Sequence, residues 1–271
     1  HEWRSERRRT FQAYRVYSSL FETLLLLDPA PPIVRLTESF RVHQDIAEFL
    51  RRAIYEQDGI HYFSQRTSRL SEVAIADDFL AAVLNPAHPL TVIVHDEAQS
   101  QDINPFEAEL ICPLIETLVG QLQLDATNGI GVVVPHRAQR LTLRERLPTL
   151  MSDLFVEHEG ATVDTVERFQ GDERDVIIVS ATESDPDYLR TTSGFLLDPR
   201  RLNVALSRAR KKLILIAART VFQLFATDEE VFQHAQLWKR LLRDTCRVPL
   251  WQGERHGVRV EVWGNHSSAP S

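Results

Sequence analysis

The sequence predicts an α/β fold with a mainly parallel sheet and helices on both faces. Two runs carry that prediction, Val176–Val179 and Leu213–Ala217. Each is apolar at consecutive positions, as expected of strands covered on both sides. The third observation is what lies between them. Leu202, Ala205, Leu206 and Ala209 recur at three- and four-residue spacing, which gives one core-facing helical stripe from Arg200 to Arg210. Residues 163–218 therefore read as strand, polar loop, cationic helix and strand.

Composition bounds the class. A chain of 271 residues with 43% hydrophobic and 25% charged positions holds one large or two small domains with a folded, soluble core. No apolar run approaches the ~20 residues of a membrane span, and the opening lacks a signal-peptide pattern. Cys112 and Cys246 are too far apart in sequence to suggest a metal framework or a structural disulfide. The expectation is a reducing, cytoplasmic setting with no membrane partner and no metal bound by a cysteine–histidine cluster. The net charge of −7 argues against gripping nucleic acid by bulk electrostatics. A local groove remains open, because backbone N–H groups and hydroxyls also hold phosphates. The chain starts at His1 with a basic segment, Arg4–Arg9, that runs straight into helical sequence, and it is expected to be a piece of a longer protein.

In chain order, Tyr17, Leu20, Phe21, Leu24 and Leu25 give a helical stripe over Arg15–Leu27, ended by the prolines of residues 28–32. A short strand is expected at Ile33–Leu36, and a helix after His43 to about Tyr55. Residues 57–89 are polar and weakly patterned, and read as a loop with a short helix near Ser71–Val83. Leu90–Val94 reads as a strand, and Asn104 as the N-cap of a helix to about Leu122. Gly129–Val134 reads as a strand leading into a helix from Arg137 to Leu150. A short and a longer helix follow Arg219, and Val258–Trp263 is strand-like. No G-x-x-x-x-G-K-[ST] occurs, and Gly171 and Gly194 are isolated, so the loop that cradles nucleotide phosphates is missing.

Two segments carry a family resemblance. Thr165–Asp175 (TVERFQGDERD) and Asp198–Arg210 (DPRRLNVALSRAR) resemble motifs V and VI of superfamily 1 helicases, in the 1B branch that contains nonsense-decay RNA helicases and the nuclease-helicases of Okazaki-fragment processing. The second segment matches the pattern at every position; in the first, Glu167 stands where the family usually has Asp. Leu36–His43 resembles motif IV, with Phe40 in place of Tyr. The run Gly131–Gln139 resembles G-V-I-T-P-Y-x-x-Q, with Val134 and His136 replacing the Thr and Tyr. Asn104–Ala108 resembles the family's N-x-x-E-A helix start. Asp96-Glu97 follows an apolar strand as a Mg²⁺-binding acid pair would, but in this family that strand belongs to the preceding domain, so the pair reads as a loop.

The resemblance covers roughly residues 14–245 and implies the second RecA-like domain of such a helicase, a three-layer sandwich. Residues 1–13 are then a linker from a missing N-terminal core domain, and 246–271 a C-terminal extension. By resemblance Arg208 is the arginine finger and Arg41 a second cation on the nucleotide phosphates. Glu173 approaches the ribose, and Gln170 and Gly171 shape the loop beneath it. The Thr165 hydroxyl contacts a nucleic-acid phosphate, while Pro135 and His136 lie at the nucleic-acid face, where His136 can stack on a base. Arg201, Arg210 and Asp175 match motif positions but fit structural pairing equally well. ATP and Mg²⁺ are implied as cofactors, bound mainly by the missing domain, and single-stranded DNA or RNA as the partner. The expected function is the C-terminal motor domain of an ATP-dependent helicase or translocase, inactive alone. The alternative is a RecA-like binding or regulatory module that keeps the fold without catalysis.

Overall fold

The computed structural model describes residues 24, 31, 32, 34, 38–126, 128–147, 162–165, 173–192, 199–225 and 229–266. Residues 1–36 and 37–271 form separate units. In the first, Leu24 is helical; the rest of the helix expected over Arg15–Leu27 lies outside the described residues, as does most of the strand expected at Ile33–Leu36.

The second unit begins with β1 (Glu38–His43), α1 (Gln44–Ala53), a 3-10 turn (Tyr55–Asp58) and β2 (Phe63–Arg66), which pairs with β1 in parallel. Then come α2 (Asp78–Leu84), β3 (Leu90–His95), α3 (Pro105–Gly120), β4 (Ile130–Val134), α4 (Arg137–Arg146), β5 (Val163–Thr165) and β6 (Arg174–Ser180). The chain continues through α5 (Pro186–Thr192), α6 (Pro199–Leu206), β7 (Ala209–Ala218), α7 (Arg219–Gln223), α8 (Glu229–Arg240), β8 (Val248–Arg255) and β9 (Val258–Gly264). The main sheet runs β5-β4-β6-β7-β3-β9-β8. Its first five strands are parallel; β9 joins β3 antiparallel and β8 completes a hairpin at the edge.

The consecutive apolar runs are buried on both faces because alternate residues feed two cores. Leu213, Leu215 and Ala217, with Val92, Val94, Ile177 and Val179, pack against Ile46, Phe49 and Leu50 of α1, Leu202 and Ala205 of α6, and Ala235 and Trp238 of α8. Ile214 and Ile216, with Ile93, Ile130, Val132, Val134 and Ile178, face Leu110, Ile111, Leu114, Ile115 and Leu118 of α3 and Leu143 of α4. Helix, sheet and helix make three layers, as the alternation predicts.

Four local expectations differ. The motif VI helix stops at Leu206 rather than Arg210, because Arg174 pairs with Ala209 and its N–H donates to the Arg208 carbonyl at 3.1 Å, drawing that stretch into β7. The helix expected at residues 71–83 is shorter and later, set by Asp77, whose carboxylate caps the Leu80 N–H at 3.0 Å. Strand β2 falls in the stretch that reads as loop; its four residues FSQR show no apolar periodicity. Strand β8 is masked in the sequence by Pro249 and Gly253, which an edge strand tolerates. It joins β9 through His256 (φ 50°) and Gly257 (φ 77°), both left-handed, as a two-residue type I′ hairpin requires. Residues 246–271, expected as an extension, thus supply two strands of the same sheet.

One buried amine makes the stability depend on pH. Lys212 of β7 is 1% exposed, and its Nζ donates to the Asn85 carbonyl (2.9 Å), the His88 carbonyl (2.6 Å) and Thr91 Oγ1 (2.9 Å). Burial pushes this amine down from its ordinary 10.5 to about 7. Between those values the unfolded chain holds a proton that the folded chain has released, so stability rises with pH across that window and levels off below it. Denaturant midpoints measured at about pH 7.5 and about pH 9.5 are expected to rise in the wild type more than in Lys212→Met. Equal changes in both would place the proton on the amine throughout. Burial also raises both thiols, Cys112 to about 12, so neither is a nucleophile.

Candidate functional site

Three of the expected nucleotide-facing residues converge from separate elements. Arg41 projects from β1, and its Nε lies 3.0 Å from Glu173 Oε1, the residue immediately before β6. Arg41 is 63% exposed and Glu173 29%, so the pair sits in water-accessible space and contributes little to stability. Arg208 lies in the turn before β7, and its carbonyl accepts from the N–H of Arg174, the neighbour of Glu173. Arg208 is half-buried, and among the described residues its buried Nε has no hydrogen-bond partner. Tyr62 lies among these groups. Burial pushes its phenol up, against a hydrogen bond from Ser39 and the positive charges of Arg41 and Arg208. Phe40, beside Arg41, is 64% exposed and offers an aromatic face. Gln170 and Gly171 lie outside the described residues.

The expected nucleic-acid residues occupy the opposite end of the same sheet. Thr165 is the last residue of β5, and Pro135 and His136 directly follow β4. Glu173 and Arg208 precede β6 and β7, which run parallel to β4. A seven-residue strand at about 3.3 Å per residue separates the two ends by roughly 20 Å. Thr165 is partly exposed, with its N–H on Asp164 Oδ1 at 2.8 Å. The His136 ring is engaged, with Nε2 2.9 Å from Glu183 Oε1 and Nδ1 3.6 Å from Asp102 Oδ1. Stacking on a base therefore requires the ring to turn away from two carboxylates. Val134 is buried in the core below α4.

Comparison with known proteins places the chain. Residues 16–220 match the AAA domain family. Among curated relatives, Regulator of nonsense transcripts 1 from Dictyostelium discoideum is 36% identical over 234 residues, covering 83% of this chain and 16% of that protein. The Regulator of nonsense transcripts 1 homolog from Arabidopsis thaliana is 31% identical over 232 residues, 83% of this chain and 16% of its own length. The DNA replication ATP-dependent helicase/nuclease JHS1 from Arabidopsis thaliana is 29% identical over 211 residues, 74% of this chain and 15% of that protein. The chain belongs to the superfamily 1 helicases. It spans about a sixth of the length of these three relatives.

Several residues of this superfamily 1 helicase domain resolve into structural partners. Asp175 pairs with Arg210 at 3.0 Å and Lys211 at 2.9 Å, which fixes the start of β7 beside β6. Asp96 pairs with Arg219 at 2.7 Å, and Glu97 accepts from the Asn104 amide at 2.9 Å and the Ser184 hydroxyl at 2.6 Å. Both acids are thus engaged as loop residues rather than as a metal box. Sequence reasoning missed Tyr55, Tyr62 and Glu183. Tyr62 lies in a polar stretch with no periodicity, so no signal points to it. Asn203 sits inside the motif VI segment, where the pattern alone gives its side chain no separate role.

Proposed function

We propose that this chain is the second RecA-like motor domain of an ATP-dependent nucleic-acid helicase or translocase. The observation that carries the reading is the convergence of Arg41, Glu173 and Arg208 at one end of a sheet whose other end holds Thr165 and Pro135. Phosphoryl transfer needs positive charge against phosphate oxygens as charge shifts, and two guanidinium groups supply it. Arg208 acts as the arginine finger with its planar fork on the γ-phosphate. Arg41 leaves Glu173 for a phosphate oxygen, which frees the Glu173 carboxylate for the ribose hydroxyls. Gln170 and Gly171 shape the loop beneath. Bound Mg²⁺ would supply further positive charge against the phosphates, and the residues holding it would belong to the preceding core domain. At the far end, Thr165 holds a nucleic-acid phosphate, and Pro135 and His136 border the single strand. Closure around ATP at one end then shifts the strand at the other.

This reading makes the isolated chain inactive, since it lacks the phosphate-cradling loop. ATP hydrolysis is to be measured for the isolated chain and for the full-length protein, each with and without single-stranded DNA and RNA. The expected result is turnover only in the full-length protein, stimulated by one of the two nucleic acids. Robust turnover by the isolated chain would overturn the proposal. A second reading, a binding module without catalysis, draws on His136 held between Glu183 and Asp102 and on Val134 in place of a hydroxyl. Full-length protein that binds single strands without hydrolysing ATP would favour it.

A further inference from the structure

Arg208 and Arg41 sit on elements far apart in the chain, and a polar link joins their supports. The 3-10 turn after α1 carries Tyr55, and α6 carries Asn203. Asn203 Nδ2 donates to Tyr55 Oη at 2.9 Å, and the same hydroxyl lies 3.3 Å from Asn203 Oδ1. The Tyr55 ring packs against Tyr62 with centroids 4.7 Å apart. Tyr62 hydrogen-bonds Ser39, and Ser39 Oγ accepts from the Arg41 N–H at 3.2 Å. On the other side, the Asn203 carbonyl accepts from the Ser207 N–H at 3.0 Å, and the Ala205 carbonyl from the Arg208 N–H at 3.2 Å. Hydrogen bonds and ring packing thus lead from Asn203, on the helix whose last turn holds Arg208, through Tyr55, Tyr62 and Ser39 to Arg41.

Arg208 needs such a frame. Its buried Nε meets no acceptor among the described residues, so no hydrogen bond at that atom fixes the side chain, and the backbone at the end of α6 sets where it starts. That helix has only eight residues, too few to be stable alone, and it takes its place from what it packs against. Arg41, in contrast, has a side-chain tether in Glu173.

We propose that Tyr55 and Asn203 are positioning residues, whose hydrogen bond holds the helix end bearing Arg208 in register with the strand bearing Arg41. The proposal rests on the reading of both arginines as nucleotide-facing. Neither Tyr55 nor Asn203 touches the nucleotide; they set the spacing of the two groups that do. A shift of about 1 Å in a catalytic group costs up to about 100-fold in rate.

The test uses the full-length protein and steady-state ATP hydrolysis. Tyr55→Phe keeps the ring and its packing on Tyr62 and removes only the hydroxyl. It is expected to lower kcat about 10- to 100-fold while KM for ATP and the thermal midpoint stay near wild type. Asn203→Ala is expected to give a similar loss, and the double variant no more than either single, because one bond is removed in all three. In an Arg208→Ala background, Tyr55→Phe is expected to add nothing. Wild-type kcat in Tyr55→Phe, with Arg208→Ala inactive, would overturn the link and leave the finger standing. Full activity in Arg208→Ala would overturn the reading on which the link rests. Multiplying losses in the double variant would make Tyr55 and Asn203 two independent packing residues and end the proposal.

Discussion

Arg208→Ala in the full-length protein is expected to lower ATP turnover about 10³-fold or more, the usual scale for an arginine finger. Two structural features make the expectation specific. Arg208 follows the end of α6 directly, so its backbone is set by the Ala205 carbonyl behind it and by Arg174 beside it. Its buried Nε has no acceptor among the described residues, so truncating the side chain breaks no hydrogen bond at that atom. The variant is therefore expected to fold, to bind nucleotide and to fail at the chemical step. Arg208→Lys keeps one charge without the planar fork and is expected to recover only a small part of the rate. Steady-state kinetics with saturating single strand, alongside nucleotide binding by fluorescence, separates these effects. A rate within about threefold of wild type for Arg208→Ala would make it a surface charge and favour the binding module instead.

The layered fold was legible because its signal is physical and local. Val176–Val179 and Leu213–Ala217 are apolar at every position, and only a strand covered on both faces buries such a run. The Asn104 cap was equally plain, and its Oδ1 does accept the Glu107 N–H at 2.9 Å. What escaped was decided by partners distant in sequence. Strand β2 exists because β1 lies beside it, and nothing in FSQR announces that. Strand β8 carries a proline and a glycine that local rules read as punctuation, and its partner β9 overrides them. Helix α6 ends four residues before its apolar stripe suggests, because sheet pairing with Arg174, not helix propensity, decides where β7 begins.

The candidate site divides the same way. Arg41, Glu173 and Arg208 were found through motif spacing, yet no spacing rule brings residues 41 and 173 to 3.0 Å. The carboxylates around His136 show the converse. Substituting His for Tyr reads from sequence as a lost hydroxyl with the stacking face kept. In the fold the ring is held by Glu183, whose position after β6 depends on a buried network that sequence does not display.

That network gives the second large expectation. Glu107 is fully buried, with Oε1 3.1 Å from His95 Nε2 and Oε2 accepting from the Thr182 N–H at 3.0 Å and from the Ser180 hydroxyl. One carboxylate thus ties the start of α3 to the ends of β3 and β6. Thr182 sits at φ 63°, a left-handed conformation that costs a β-branched residue energy and persists only where surroundings hold it. Glu107→Ala leaves His95, Ser180 and Thr182 without this acceptor and is expected to cost about 3–5 kcal/mol, since several buried donors lose their partner together at about 1–3 kcal/mol each. Glu107→Gln keeps the volume and one acceptor, but its NH₂ must face a donor, so a smaller loss is expected. Urea denaturation of both variants measures this. An unchanged midpoint in Glu107→Ala would mean that water satisfies these donors and that the turn at Thr182 is held by other contacts. A loss as large as expected would make the carboxylate of the Asn104–Ala108 helix start a packing residue that ties α3 to β3 and β6.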